Sequence, residues 1–486
     1  MNVYFTDYFG IPRDVLAAYG AFNVSLINDL PVFIDPFLLF NSEKEEYQHL
    51  HDQIITYIRF LREVSEPGRI APGLLRHWFL FPEVRQNWLG YSRVGNRGSG
   101  LGLNFATAMN ANLATIFQNF GNEQVTRGSH LEKLCLVRDG VGKDNISDFT
   151  TNLIKGYLAE YTQAFAVEHL DDTAAREVEV THAAFNYRTR RWTSGRYRLP
   201  YIDGDYVLLT PKDILTKDEA WINKYDIVGD FEEIVTAIPN TELRAQIDDY
   251  FLRQIPENAN RREINAAVTQ TLRHYPQLVD YYIRYKEDRG DEAVALSDQK
   301  VRETEAVFIA QVTRLIESLT QDGHFYRAPG NTFDEAHARV MYLKHVIENN
   351  DGYRVFYING QPVKRESDLQ LMFRLTWYAS QDDVNAEVNN GRGPVDYKIS
   401  RGSKDSTLVE FKLASNSKLK QNLENQVAVY EAANKTDQSI KVIMYFSDAE
   451  LEKVIRVLNE VGLRESVSLI LIDARATNKP SGSNAR

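Results

Sequence analysis

At 486 residues the chain exceeds what one hydrophobic core ordinarily organises, so two or three domains are expected. Apolar residues at 43% and charged residues at 25% are the proportions of a globular chain, and no run of about 18 apolar residues offers a membrane span. A net charge of -11 excludes a protein that coats nucleic acid through its overall field. The acidity is uneven. From Gly360 onward there are 18 Lys plus Arg against 17 Asp plus Glu, or +1, which leaves -12 upstream. The start, MNVYFTDYFG, lacks the basic stretch and apolar run of a secretory leader, so a cytoplasmic location is expected. The single cysteine, Cys135, excludes an internal disulfide, a Cys-rich zinc site and a cysteine-held iron–sulfur cluster, and reads as a buried small hydrophobe.

In chain order, EYQHLHDQIITYIRFLREV and DFTTNLIKGYLAEYTQAF carry apolar residues at helical spacing, which predicts a mainly helical region over 1–170. His49 and His51 are two apart, the wrong spacing for zinc on one helix face, and are expected at the surface. GNRGSGLGLNFA, 95–106, meets neither glycine-rich phosphate fingerprint and reads as a loop, with a nucleotide site as the alternative. In VRDGVGKDNISDFTTN the aspartates fail the calcium-loop template, and Ser147 or Asp148 is expected to cap a helix. From Glu177 the pattern alternates, predicting a hairpin joined at Thr193, Ser194 and Gly195. An amphipathic helix is expected after Leu296, and a mixed α/β region over 171–325.

The last stretch is the most regular. EAHARVMYLKHVIENN and ESDLQLMFRLTWYA read as helices around a hairpin at Asn359 and Gly360. Three strands follow, VNAEVNN, PVDYKIS and TLVEFKL, then a helix through LKQNLENQVAVYEAAN. The strand IKVIMYFS, a helix capped by Asp448 and the strand VSLILIDA complete an α/β module over 326–476, with a disordered tail over 477–486. The fold class is therefore multidomain α+β, with a helical N-terminal region, a central β-containing region and a C-terminal α/β module.

Alternate residues of a strand share a face, so Glu410 and Lys412 point together while Val409, Phe411 and Leu413 form the apolar side. Pairing of PVDYKIS with TLVEFKL brings Asp396 near Glu410. Two carboxylates there suit Mg²⁺, or Mn²⁺, and a lysine beside them can hold an attacking water or stabilise charge on a phosphate. The simpler explanation is a surface ion pair worth at most about 1 kcal/mol.

Pro394, Asp396, Glu410 and Lys412, in that order and on those strands, resemble the PD-(D/E)xK nuclease superfamily, although Val395 separates the proline from the aspartate. QVAVY places Gln426 and Tyr430 where RecB-like and Cas4-like members carry a QxxxY motif. The resemblance covers about 351–474. It implies a restriction-endonuclease-like domain with a mixed sheet that hydrolyses DNA, with RNA left open. Asp396 and Glu410 would hold the metal, Lys412 would be catalytic, and Gln426 and Tyr430 would assist. No histidine follows His345, so Glu366 or Glu387 would take the place of the metal-binding histidine found in those members. By analogy, the chain would be a microbial restriction or anti-phage defence effector, with a protein or ligand trigger at its N-terminal region and homo-oligomers allowed.

NYRTRRWTSGRYRLPY places Arg188, Arg190, Arg191, Arg196 and Arg198 among aromatic rings, which suits either nucleic-acid contact or a solvated hairpin face. The rival to an enzyme is a degenerate nuclease fold that binds protein or nucleic acid. A third reading is an ATP-driven protein using Gly100 and Gly102.

Overall fold

The strand alternation near the C-terminus builds a five-stranded mixed sheet in a computed structural model. The structure describes residues 3–65, 70–90, 101–116, 123–133, 136, 143–217, 220–256, 261–313, 331–350, 352–358, 360–363, 366–377, 383–389, 394–401, 405–424, 437–463 and 468–479. Residues 95–100 of the glycine-rich segment, Gly100 among them, Cys135, the turn residue Asn359 and the end of the tail lie outside them.

The N-terminal helices Glu45–Val64 (α1) and Lys155–His169 (α2) follow the apolar spacing read in the sequence, and Leu103–Ile116 and Lys143–Leu153 lie between them. Helical periodicity turns Tyr47, Leu50, His51, Ile54 and Ile58 inward together. His51 is therefore buried, against the surface expectation, while His49 is exposed. Burial pushes the His51 imidazole down to about 3, so it is neutral. Ser147 and Asp148 are not caps either: both lie within Lys143–Leu153, and Ser147 Oγ accepts from the Ile34 N–H at 3.0 Å.

The Arg-rich hairpin pairs Ala175–Asn186 (β1) with Arg191–Ile202 (β2). Its turn is at 187–190, with Arg190 at φ 52°, and Thr193, Ser194 and Gly195 lie inside β2 instead. Gly195 is there for close packing, since a Cβ would stand 2.6 Å from the Tyr197 ring. Downstream, six helices among the described residues between Lys224 and Thr304 gather, with Phe37 and Leu38 of the N-terminal region, a second apolar cluster around Ile227, Phe231, Ile247, Val268 and Tyr282. The helix expected after Leu296 begins earlier, at Gly290, and passes into a π-helical turn at Glu305–Gln311.

The C-terminal module starts with Thr332–Asn349 (α3) and Ser367–Leu375 (α4). Between them Gly360 makes the small Tyr357–Ile358 and Gln361–Pro362 hairpin at φ 70°. The sheet comprises Asp383–Asn389 (β3), Pro394–Arg401 (β4), Asp405–Leu413 (β5), Asp437–Tyr445 (β6) and Leu469–Asp473 (β7), in the order β7-β6-β5-β4-β3. The first three strands are antiparallel, and β5, β6 and β7 are parallel. Asp448–Val461 (α5) makes the last crossover, capped by Ser447, whose Oγ accepts from the Glu450 N–H, and not by Asp448. Odd residues Val409, Phe411 and Leu413 pack with Tyr397, Val442 and Met444, and the Phe373 ring of α4 lies 5.2 Å from that of Phe411. This apolar cluster continues into the N-terminal helices and the hairpin. Two buried bonds tie the same regions: Lys217 Nζ donates to Val355 O at 2.5 Å and lies 3.3 Å from Asp368 Oδ2, at the start of α4.

Two buried carboxyls, Asp29 and Glu132, and the half-buried Asp148 make stability depend on pH. Burial, reinforced by Glu83 and Asp148, pushes Asp29 up to about 8; burial then Glu83 push Asp148 to about 7; burial then Asp35 push Glu132 to about 8. The folded chain thus keeps protons that an unfolded chain releases in the ordinary carboxylate range, so their contribution is complete in acid and is lost as pH rises toward 8. Asp29→Asn is expected to flatten the fall in urea midpoint between about pH 5 and pH 8 relative to the wild type. Parallel slopes for the two proteins would contradict this role for Asp29.

Candidate active site

The β4–β5 ladder runs from Arg401↔Asp405 to Tyr397↔Val409, and the same register sets Asp396 opposite Glu410. There the Asp396 side chain takes over the ladder, its Oδ2 accepting the Phe411 N–H at 2.6 Å. Because even residues face away from the apolar cluster, Asp396, Glu410 and Lys412 share one side of the sheet. Lys412 Nζ is 3.0 Å from Glu410 Oε1 and 3.9 Å from Asp396 Oδ2. All three side chains are partly buried, between 13% and 19% exposed.

Glu366, just before α4, reaches the same end of β5, its Oε1 accepting the Leu413 N–H at 3.3 Å. In β3, the pairs Ala386↔Tyr397 and Val388↔Val395 put the backbone of Glu387 opposite Asp396, while its side chain lies outside the described residues. Gln426 and Tyr430 also lie outside them. The segment leading to them is helical over 419–424, with Leu419 and Leu423 packed beside Ile443 on the site's side of the sheet.

Burial raises the Glu410 carboxyl above its ordinary value, opposed by Lys412 and, from β6, Lys441. Burial works against the Lys412 ammonium too, but Asp396, Glu410 and Glu366 outweigh it and hold Lys412 above the ordinary lysine range. The cluster is thus polar, half-desolvated and built to keep opposite charges together. Its hard oxygen donors fit Mg²⁺ or Mn²⁺, which are commonly held by one or two carboxylates with water and phosphate oxygens completing the shell. Among the described residues, no three His, Cys, Asp or Glu side chains form a ready-made metal cluster. Asp396 and Glu410 are the pair that would hold the ion.

Four of the hairpin arginines, Arg188, Arg190, Arg191 and Arg196, are exposed. Arg198 is used by the fold, donating to Ala166 O at 2.7 Å and Leu170 O at 3.0 Å at the end of α2, and pairing with Asp172. The positive charge there also complements the helix C-terminus. Lys441 was missed in the sequence, although IKVIMY sets it opposite in face to Ile440, Val442 and Met444.

The class defined so far is an α+β protein with a carboxylate–lysine cluster on one side of a mixed sheet. Residues 10–223 match the family model described as Domain of unknown function (DUF8370), and residues 332–448 match Domain of unknown function (DUF8371). The second match contains Asp396, Glu410 and Lys412. No curated protein and no solved structure matches the chain. No helix among the described residues is long and apolar enough to cross a membrane.

Proposed function

We propose that the C-terminal module is a restriction-endonuclease-like domain of the PD-(D/E)xK type and that the protein hydrolyses DNA phosphodiesters with Mg²⁺ or Mn²⁺. The observation that carries this reading is Lys412 standing within 4 Å of both Asp396 and Glu410 on one face of β4 and β5. When bound, the ion supplies positive charge to the phosphate and acidifies water. Asp396 and Glu410 hold it and fix its place relative to the sheet. The Lys412 ammonium orients the attacking water or meets negative charge developing on the phosphate oxygens. Glu366 holds the Lys412 end of the site, and Gln426, Tyr430 and Glu387 enter through the family resemblance.

A defence role rests on the joining of such a module to a large acidic region, as analogy alone. The test is incubation of the purified protein with linear, circular and single-stranded DNA and with RNA, in Mg²⁺ or EDTA. Cutting of DNA only with the metal is expected. Nucleic-acid binding without cutting would mark a degenerate fold that binds, and cutting in EDTA would exclude the metal site.

The exposed hairpin arginines supply the backbone contacts in this reading. Arg190→Ala with Arg191→Ala is expected to weaken DNA binding and to reduce the slope of log affinity against log salt by about 2, since each phosphate contact contributes about 0.9. Arg198→Ala is instead expected to cost about 1 kcal/mol of stability through the lost helix-end bonds. Unchanged affinity and slope in the double variant would return the hairpin to a purely structural role.

A further inference from the structure

Glu410 pairs in parallel register with Lys441 of β6, and in a parallel pair the register partners point to the same side of the sheet. Asp396, Glu410 and Lys441 therefore form a row across three adjacent strands, with Glu410 in the middle. Lys441 is 7% exposed, beside Ile443 of the apolar cluster that closes this side of the sheet. A buried ammonium beside a carboxylate is costly to place and acts strongly on its neighbours.

The charges can be counted. Among the described side chains, those whose charges act on Glu410 and Lys412 are three carboxylates, Glu366, Asp396 and Glu410 itself, and two ammoniums, Lys441 and Lys412 itself, for a net charge of -1. A divalent ion alone takes the site to +1, whereas the ion together with one phosphodiester brings it to zero. Without Lys441 the site would be -2 and a divalent ion alone would neutralise it.

Resting on the nuclease reading, we propose that Lys441 is a positioning residue that couples metal entry to substrate: its ammonium competes with the ion for Glu410 until a backbone phosphate supplies the balancing charge. Metal and nucleic acid then strengthen each other's binding by the same factor, as linkage requires.

The experiment is a titration of Mn²⁺, followed by its electron paramagnetic resonance signal, into the full-length protein with and without a DNA duplex carrying non-hydrolysable phosphate analogues. In the wild type, DNA is expected to tighten Mn²⁺ binding at least about tenfold. Lys441→Met, which keeps length and apolar packing, is expected to bind Mn²⁺ at least about tenfold more tightly without DNA and to lose most of the DNA effect. Lys441→Arg keeps the charge and should retain the coupling, which separates it from a packing effect. Equal Mn²⁺ affinity in wild type and Lys441→Met, or coupling that survives in Lys441→Met, overturns the proposal while leaving the nuclease reading in place. Failure of the wild type to bind Mn²⁺ even with DNA removes that reading and the coupling with it.

Discussion

Lys412→Ala is expected to leave a folded protein whose Mg²⁺-dependent DNA cleavage under single-turnover conditions falls by about 10²–10³-fold or more. The ammonium contacts both carboxylates that would hold the ion, so it lies where water and phosphate must meet. Its loss removes charge stabilisation that counts most in the transition state. It also removes the cation that most opposes the upward shift of Glu410, so the variant's remaining activity should require higher pH. The stability cost is intermediate between that of an exposed and a buried pair, about 1–2 kcal/mol, because the partners are 18% and 13% exposed. Unchanged cleavage by a variant with a native circular dichroism spectrum would remove Lys412 from the mechanism.

Lys217→Ala is expected to be the most destabilising single change considered, at about 3 kcal/mol in urea unfolding. Lys217 and Asp368 are 2% and 3% exposed, and the substitution takes the Lys217 ammonium away from a buried carboxylate at the start of α4. The bond to Val355 O is lost as well. Because Glu366 stands two residues before Asp368, the variant should also lose cleavage out of proportion to its unfolded fraction. A stability within about 0.5 kcal/mol of the wild type would show that Asp368 does not depend on Lys217.

The C-terminal elements were legible because their periods are clean. Val409, Phe411 and Leu413 alternate with Glu410 and Lys412, and the five strands lie within a few residues of their expected places. The shared face of Asp396, Glu410 and Lys412 followed from the same alternation, whereas Glu366 entered only through the family resemblance, as an alternative to Glu387 for the missing histidine. What escaped depended on residues far apart in the chain. The burial of His51 reflects its packing, with tilted rings, against Phe40 and His130, whose ring centroids are 5.2 Å and 6.0 Å away. Gly195 carried a turn signal, but the demand on it comes from the Tyr197 ring. Arg198 belonged by composition to a basic patch, yet the carbonyls ending α2 claim it. Lys441 was hidden in an apolar strand because only the parallel register with Glu410 gives it meaning.

Cleavage of a labelled linear DNA duplex by the wild type and by Asp396→Asn, at equal folded concentration and with Mg²⁺ or EDTA, bears most directly on the proposed nuclease. Asparagine keeps the size of the side chain and an oxygen to accept the Phe411 N–H, but it removes one of the two charges offered to the ion. The wild type should cut only with Mg²⁺, and Asp396→Asn should not cut measurably. Equal cutting by both proteins, or no cutting by the wild type with either Mg²⁺ or Mn²⁺, would contradict a metal-dependent nuclease centred on Asp396 and Glu410.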